Sequence, residues 1–195
     1  MKYTKIPTDT FKNLQLNAGV LLKSFDVETQ TLAADSIVGA TSGGVSFTAV
    51  PSRIDFGEDI DNCPKNTKEL MRNDTWEAKM SGTFASVTKS LAKTLVGAAD
   101  LSGSKITPRS DLAAADFFDL WWVGDYSEVN EDGTSTGKAG FIAIHLLNSL
   151  STGGFSIQSS DKGKGQFEFE FTGHYSMEDQ DKVPFEVYVQ EGTAA

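Results

Sequence analysis

Residues 74–97 read DTWEAKMSGTFASVTKSLAKTLVG, and this stretch decides the fold because its periodicity changes halfway. In the first half, Trp76, Ala78 and Met80 alternate with polar residues, which is the period of a half-buried strand. One face of this strand therefore packs on a core, and the other meets water or a polar interface. The polar face consists of Glu77, Lys79, Ser81 and Thr83.

The second half of the stretch has the spacing of a helix. Val87, Leu91 and Leu95 lie four residues apart, which places them on one apolar stripe. Gly97 follows where a helix often ends in a left-handed residue. A strand that leads into one short helix over residues 87–96 predicts a sheet that this helix covers.

Strand patterns recur on both sides of this unit, in residues 19–25, 45–50, 117–126, 139–148, 166–176 and 183–189. Pro51 is expected to end the second of these strands. Residues 98–110 are expected to form a small-residue connection around Gly103 and Pro108, and residues 111–116 could form a helical turn. The predicted fold is mainly β, with two packed antiparallel sheets in a sandwich or open barrel and one flanking helix. The predicted division is an arm (residues 1–18), one domain (19–190) and a short tail (191–195).

Two of these segments, residues 117–126 and 139–148, are apolar on both faces. Such strands must be buried on both sides, either inside the domain or against another subunit. We expect them to pair through a polar tip with a turn at Asp132 and Gly133. The segment QFEFEF at residues 166–171 alternates instead, with its phenylalanines inward and Glu168 and Glu170 outward.

Composition excludes several classes of protein. The net charge is −10 and no cluster of Lys and Arg is present, which disfavours a protein that binds nucleic acid by neutralising phosphates. An acidic surface instead repels DNA and keeps it from adhering. No apolar run is long enough to cross a bilayer, and a single Cys63 excludes an internal disulfide.

Residues 53–73 read RIDFGEDIDNCPKNTKELMRN and form a long, charged segment without periodicity between two strands. Loops of this length in a compact domain are usually functional or make contacts with other molecules. Its carboxylates invite a cation-site hypothesis, but their spacing does not match a calcium loop. We expect a solvated or interface loop and no metal site. The carboxylates are Asp55, Glu58, Asp59 and Asp61.

Enzymatic templates find little support in the sequence. His145 and His174 lie in strands without a nucleophile elbow, and Cys63 lies among carboxylates that disfavour a thiolate. Glu168 and Glu170 would suit a glycosidase only inside a sugar-binding cleft. Zinc-ligand spacing and a phosphate-binding glycine loop are both missing from the sequence. We therefore expect no enzyme, no catalytic residues and no cofactor.

Taken together, residues 10–190 resemble the major tail tube proteins of long-tailed bacteriophages. The resemblance rests on GVLL at residues 19–22 after an N-terminal arm and on a Gly-Gly-led strand before the charged loop, residues 43–73. It also rests on the pattern W-x-A-x-M-S-G-T-F at residues 76–84, which leads into the helix. Related tube proteins of contractile tails, tailocins and type VI secretion are alternatives of the same kind.

The resemblance implies a structural protein that forms hexameric rings, which stack into a hollow tube. One sheet from each subunit would join a continuous inner barrel, and DNA would pass through the lumen during ejection without specific binding. Its partners would be further copies of itself and the tape-measure, tail-terminator and baseplate proteins, with no membrane. Its location would be the tail of the virion, after assembly in the host cytoplasm.

The resemblance also assigns contact surfaces. The charged loop would bridge subunits or rings, with residues 2–11 and the C-terminal tail as secondary contacts. Contact residues would be Asp55, Glu58, Asp59, Asp61, Lys65, Lys68 and Arg72. An acidic to neutral lumen or subunit surface would comprise Glu77, Lys79, Ser81, Thr83, Glu168 and Glu170. Many relatives carry an extra immunoglobulin-like domain, and none is expected after Val189.

The main alternative is a carbohydrate-binding or adhesion β-sandwich. In that case Trp76, Trp121 and Trp122 would stack on sugars and would have to share one exposed patch. Strand alternation instead places Trp76 on the same face as Met80 and Phe84, which favours a buried position.

Overall fold

A computed structural model of the chain describes residue 10 and residues 14–126 and 140–191. Within those residues it contains one α-helix, α1 (Lys89–Val96), and nine strands. The strands are β1 (Val20–Leu22), β2 (Thr41–Asp55), β3 (Met71–Phe84), β4 (Ala99–Ser102), β5 (Lys105–Pro108), β6 (Phe118–Asp125), β7 (Phe141–Ser151), β8 (Phe167–Thr172) and β9 (Phe185–Gln190). The expected mainly β fold with one flanking helix is confirmed.

Seven strands form one antiparallel sheet in the order β1-β6-β7-β8-β3-β2, with β9 as a branch on β7. Strand β7 joins two layers because its first part, from Phe141 to Leu146, pairs with β9, whereas Leu150 and Ser151 pair with β8. The layer β1-β6-β7-β9 therefore faces the layer β2-β3-β8 across a common core. Strands β4 and β5 form a separate two-stranded sheet.

The main core lies between the two layers and beneath the helix. Phe84 and Phe171 are fully buried from one layer, and Leu120 and Leu146 are fully buried from the other. Full burial of such a side chain contributes about 1.5–3 kcal/mol. The phenylalanines of β8 point inward and Glu168 is exposed, so the alternation predicted for this strand is confirmed.

Helix α1 begins after Thr88, whose hydroxyl accepts a hydrogen bond from the backbone N–H of Leu91 at 3.2 Å. It ends at Gly97, whose positive φ of 83° glycine adopts without strain because it has no Cβ. Leu91 and Leu95 are buried against the core. The predicted helix is confirmed, and it starts two residues after Val87 because Thr88 supplies the cap.

The hairpin β2–β3 is longer than predicted. Pro51 does not end β2, which continues to Asp55 after a register shift between Pro51 and Arg53. Within the described residues β2 lies at the edge of the sheet beside β3, so the missing N–H of Pro51 need not interrupt a second ladder. Residues 53–55 and 71–73, predicted as loop, are paired strand, and the loop itself is residues 56–70.

The small-residue connection expected over residues 98–110 contains two strands that were not predicted. Strands β4 and β5 form a hairpin there, with Gly103 at φ 64° in its turn. Both strands are four residues long and mostly exposed, so they lack the alternating apolar pattern that predicts a strand. The predicted helical turn nearby is present as a 3-10 turn at Ala114–Asp116.

The pairing predicted between the two aromatic segments is confirmed, because β6 pairs with β7 from Asp125–Phe141 to Phe118–Ser149. The predicted turn at Asp132 and Gly133 lies outside the described residues, as do most of the N-terminal arm and the last residues of the tail. The described end of the arm joins the sheet through a bridge between Gln15 and Tyr126.

The outer side of β6 and β7 carries a second apolar cluster. Its buried members are Leu22, Trp121, Val123, Phe141 and Ala143. Partly buried Phe25, Val27 and Tyr188 pack against it from the loop after β1 and from β9. Of the two expectations for strands with two apolar faces, burial inside the domain is therefore the one observed. No helix in the described part of the chain is long and apolar enough to span a membrane.

Candidate functional site

The hairpin β2–β3 extends beyond the rest of its layer. Strand β8 pairs with β3 only from Lys79 to Phe84, whereas β2 and β3 continue to pair as far as Asp55 and Met71. Beyond Trp76 the hairpin is thus a two-stranded ribbon, here called the projecting hairpin. A two-stranded ribbon is only marginally stable alone in water, so its folded end needs local support.

The end of the projecting hairpin, residues 56–70, is here called the tip, and Asp55 organises it. One carboxylate oxygen of Asp55 accepts the N–H of Gly57 at 2.9 Å, and the other accepts the N–H of Asn66 at 2.8 Å. The hydrogen bond from Asn66, followed by that from Gly57, lowers the pKa of Asp55 below its usual value. Asp55, predicted as a contact residue, is therefore turned inward to hold the tip together.

Other bonds show that the tip is an ordered series of turns. The N–H of Phe56 donates to the carbonyl of Leu70 at 3.2 Å, and the hydroxyl of Thr67 donates to the carbonyl of Pro64 at 2.7 Å. The side chain of Cys63 lies within this network, 3.7 Å from the Thr67 hydroxyl. The hydrogen bonds described for the tip end within residues 55–72, so the tip is held by itself rather than by the body of the domain.

The remaining predicted contact residues lie on the surface of the tip and at its base. Lys65 approaches Glu58 at 3.8 Å, and Lys68 approaches Glu69 at 3.4 Å, with all four side chains more than half exposed. Exposed ion pairs of this kind contribute at most about 1 kcal/mol. These charges therefore remain available to another molecule. Exposed members of the predicted set are Glu58, Asp59, Asp61, Lys65, Lys68 and Arg72.

Apolar side chains at the tip are what sequence reasoning missed. Phe56 is 59% exposed, Ile60 52% and Ile54 42%. They lie in an acidic segment without periodicity, and without periodicity the sequence cannot predict whether a single apolar residue is buried. The tip thus exposes two apolar side chains, Phe56 and Ile60, in a segment that also carries exposed carboxylates.

A second predicted surface is the side of β2, β3 and β8 that faces away from the core, here called the outer face. The register aligns Lys79 with Thr48 of β2 and with Thr172 of β8, and aligns Ser81 with Glu170. The predicted residues of β3 and β8 are therefore brought together on one surface. They are Glu77, Lys79, Ser81, Thr83, Glu168 and Glu170.

The outer face is polar and mildly acidic. Lys79 pairs with Glu77 at 2.6 Å, and this hydrogen bond is the main cause that raises the pKa of Lys79. Glu170 accepts a hydrogen bond from the Thr152 hydroxyl at 3.0 Å, and Thr152 also bonds the hydroxyl of Thr172 at 2.8 Å. Three carboxylates face one ammonium group among the predicted residues, which agrees with an acidic to neutral surface.

His145 lies at the edge of the second cluster between two carboxylates. Its ring stacks on Trp121 with 3.9 Å between centroids, and its Nδ1 lies 3.3 Å from Glu186. Its Nε2 lies 3.2 Å from Asp119, although no acceptor is aligned with that nitrogen for a hydrogen bond. Glu186 also accepts the Tyr188 hydroxyl at 2.6 Å, which lowers the pKa of Glu186. This arrangement ties β6, β7 and β9 together.

The described residues contain no cluster of three or more His, Cys, Asp or Glu side chains that could hold a metal ion. The acidic tip does not form one because Asp55 points into its own turns. The Nδ1–H of His174, in the loop after β8, donates to the carbonyl of Asn148 at 3.1 Å, and its ring contacts Phe117 edge-on. Its partners thus lie in β7 and directly before β6.

The three tryptophans occupy different environments. Trp121 is 8% exposed within the second cluster, and Trp122 packs on the main core with its Nε1 donating to the carbonyl of Ala18 at 3.0 Å. Trp76 is half-buried against Phe185, 5.4 Å between ring centroids. They do not share the exposed patch that stacking on a sugar would need.

No protein-family model matches the chain, and no curated protein matches it in sequence.

Proposed function

We propose that this protein is a structural subunit that polymerises as stacked hexameric rings into a phage tail tube, a conduit for DNA during ejection. The observation that carries the proposal is the projecting hairpin. It is a two-stranded ribbon with a self-contained tip that exposes Phe56 and Ile60 to solvent. Exposed apolar side chains on an ordered projection are typical of a contact between molecules.

The outer face supports the same proposal. It combines hydroxyl groups with Glu77, Glu168 and Glu170 and has Lys79 as its ammonium group. A wall of this kind repels phosphates, so DNA would slide along it rather than adhere. This repulsion arises from charge alone and does not depend on base sequence.

The free edge of β2 is a third support. Strand β2 has fifteen residues, and among the described strands it pairs with β3 alone. A long open edge exposes unpaired backbone groups, and a sheet that continues into another subunit removes this liability. The edge also carries Pro51, which limits such pairing to the stretch before it.

The two apolar faces of β6 and β7 do not support assembly. The two aromatic strands β6 and β7 are covered within one chain by Phe25, Val27 and Tyr188. Their apolar faces therefore need no neighbouring subunit. Self-association has to rest on the hairpin, the outer face and the edge of β2.

Electron microscopy with negative stain tests the proposal directly. Concentrated purified protein is expected to form rings or tubes about one subunit thick in the wall. A variant in which residues 56–70 are replaced by Asn-Gly, a favoured two-residue hairpin turn, is expected to remain a folded monomer by circular dichroism and sedimentation.

A matched control shortens the exposed loop at residues 159–164 and should assemble as the wild type does. Protein that stays monomeric at every concentration, alone and with preformed tail tips, would overturn the tube. Tubes formed by the variant without its tip would show that the projecting hairpin is not the contact.

A further inference from the structure

The projecting hairpin changes character between the body of the domain and the tip. At the body end, Trp76 is half-buried and packs on Phe185. At the far end, Gly57 is buried within the hydrogen bonds that hold the tip together. Between these ends, every side chain of residues 52–54 and 72–75 is exposed. The hairpin thus has two packed ends joined by a section without buried side chains, here called the linking section.

The pairing of the two strands is irregular within the linking section. Pro51 of β2 pairs with Trp76 of β3. Two positions further along β2, Arg53 pairs with Asn73, so residues 74–75 of β3 together lie opposite one residue of β2. This two-against-one pairing is a β-bulge, which bends the strand and interrupts the ladder at one point.

The linking section has no third strand beside it among the described strands. Strand β8 ends its pairing with β3 at Lys79, and beyond that point the N–H of Trp76 donates to the hydroxyl of Tyr175 at 2.8 Å. The side-chain hydrogen bonds and ion pairs described for the tip remain within residues 55–72. Within the described part of the chain, the tip is therefore joined to the body through β2 and β3 alone.

These features are the physical conditions for a hinge. A segment with few buried contacts and solvent-exposed backbone hydrogen bonds opens at a lower cost in free energy than a packed one. A hinge consists of a few residues that absorb a change of backbone angle, while the structure on each side moves as a rigid body. The tip meets this last condition because Asp55 and the turns around it hold it together without help from the body.

We propose that the bulge at residues 74–75 is a hinge on which the tip rotates as a rigid unit relative to the body of the domain. In a single copy the tip takes a range of angles, and in an assembly the neighbouring copy selects one of them. The role of the hinge rests on the proposed function and deepens it, because the tip then meets its partner subunit without strain in the body.

Distances between pairs of spin labels in dilute protein, measured by electron paramagnetic resonance, test the hinge. In a Cys63→Ser background, Lys65→Cys in the tip and Ser90→Cys on α1 are labelled at exposed positions. Their distance distribution should be at least about twofold wider than that of a pair inside either rigid unit. The control within the tip is Lys65→Cys with Asp59→Cys, and the control within the body is Ser90→Cys with Glu168→Cys.

Removal of one residue tests the position of the hinge. Deleting Asp74 leaves the pairs on both sides of the bulge in register and restores one-to-one pairing between them. The tip–body distribution should then narrow to the width of the two control pairs, because the ladder continues without a break. Asp74→Ala removes the same carboxylate but keeps the bulge, so its distribution should stay as wide as that of the wild type.

Assembly provides the second measurement. The tip–body distribution of the wild type should narrow when tubes form, since each tip is then held by a neighbour. The Asp74 deletion should raise the concentration needed for assembly at least about threefold, because most of the angles that the partner can select are lost. Asp74→Ala should assemble as the wild type does. Assembly of the deletion at the wild-type concentration would overturn the role of the hinge in assembly.

The hinge and the tube fail separately. A tip–body distribution as narrow as the controls in the dilute wild type would overturn the hinge and leave the tube standing. So would a distribution that stays wide in an Asp74 deletion shown to fold by circular dichroism, or a wide distribution for the pair within the tip. A wide tip–body distribution that narrows on deletion of Asp74, in a protein that forms neither rings nor tubes, would support the hinge and overturn the tube.

Discussion

The strand pairs β6–β7 and β2–β3 differ in how completely the chain covers their faces. Strands β6 and β7 have two apolar faces, and the chain covers both of them itself, the inner one with the main core and the outer one with Phe25, Val27 and Tyr188. Strands β2 and β3 have one apolar face on the core, and their other face and far end stay open. The more hydrophobic pair is therefore covered by its own chain, and the more polar pair keeps exposed surface, which is where we propose that other subunits bind.

The largest expected difference in the free energy of unfolding is between a phenylalanine of the core and one of the tip. Phe171 is fully buried where the two layers meet, so Phe171→Ala should lower the free energy of unfolding by about 3–5 kcal/mol. Phe56→Ala is the matched change at an exposed phenylalanine, and it should alter that free energy by less than about 0.5 kcal/mol. Urea unfolding of the monomer measures both. A large loss of stability in Phe56→Ala would show that the tip is part of the fold rather than a surface for others.

The second effect tests whether the outer cluster of β6 and β7 belongs to the monomer. Phe25 packs on Trp121 and Phe141, with ring centroids 5.9 and 5.6 Å apart. Because Phe25 is only partly buried, Phe25→Ala should lower the free energy of unfolding by about 2 kcal/mol. The comparison is Leu32→Ala, an exposed residue of the same loop, which should change it by less than about 0.5 kcal/mol. An unchanged monomer with impaired assembly would mean that another subunit, not Phe25, covers this cluster.

The contrast also explains which parts of the structure the sequence could predict. Helix α1 was predictable because Leu91, Leu95 and Gly97 give it both a buried stripe and an end. Strand β8 was predictable because each phenylalanine alternates with a polar residue. These signals are local, and the two layers preserve them because one face of each element is buried.

The parts that could not be predicted depend on contacts between distant residues. Phe25 and Val27 are isolated apolar residues in a polar loop, so nothing in their spacing shows that they cover β6 and β7. Hairpin β4–β5 escapes prediction because its strands are short and exposed. At the candidate site, exposure of the outer face followed from alternation. The inward turn of Asp55 and the outward position of Phe56 depend on hydrogen bonds between residues about ten apart in the tip.

A smaller, pH-dependent effect is expected from the contacts of Glu186, which link β9 to the aromatic strands β6 and β7. The Tyr188 hydroxyl, followed by His145 and Lys182, lowers the pKa of Glu186 below its ordinary value of 4.5. A lowered pKa means that the carboxylate stabilises the fold above the unfolded value and that this contribution is lost as the pH falls through the folded value. Glu186→Gln should therefore cost about 1 kcal/mol at pH 7, a modest figure because the side chain is 35% exposed.

Thermal unfolding of both proteins from pH 7 down to pH 3 measures this dependence. The difference between wild type and Glu186→Gln should shrink as the pH falls below 4.5. Glu178→Gln, an exposed carboxylate in the loop before β9, is the control and should show no such trend. If the stability difference between the two proteins stays constant over the whole pH range, the charge of Glu186 does not stabilise the fold.

The smallest effect on stability is expected from reversing charges on the outer face, and the same variant tests whether the outer face lines the lumen. Glu168→Lys with Glu170→Lys reverses two charges on the outer face and should lower the free energy of unfolding by less than about 1 kcal/mol in all, mainly because Glu170 loses the hydrogen bond from Thr152. If the outer face lines the lumen, assembled tubes of this variant should retain fluorescent DNA oligonucleotides about tenfold more strongly at 50 mM than at 200 mM salt, because added lysines bind phosphates. The control Asp161→Lys with Glu178→Lys adds the same charge at exposed loop positions. If tubes of the control retain as much DNA as tubes of the variant, the outer face does not line the lumen, even though the protein forms tubes.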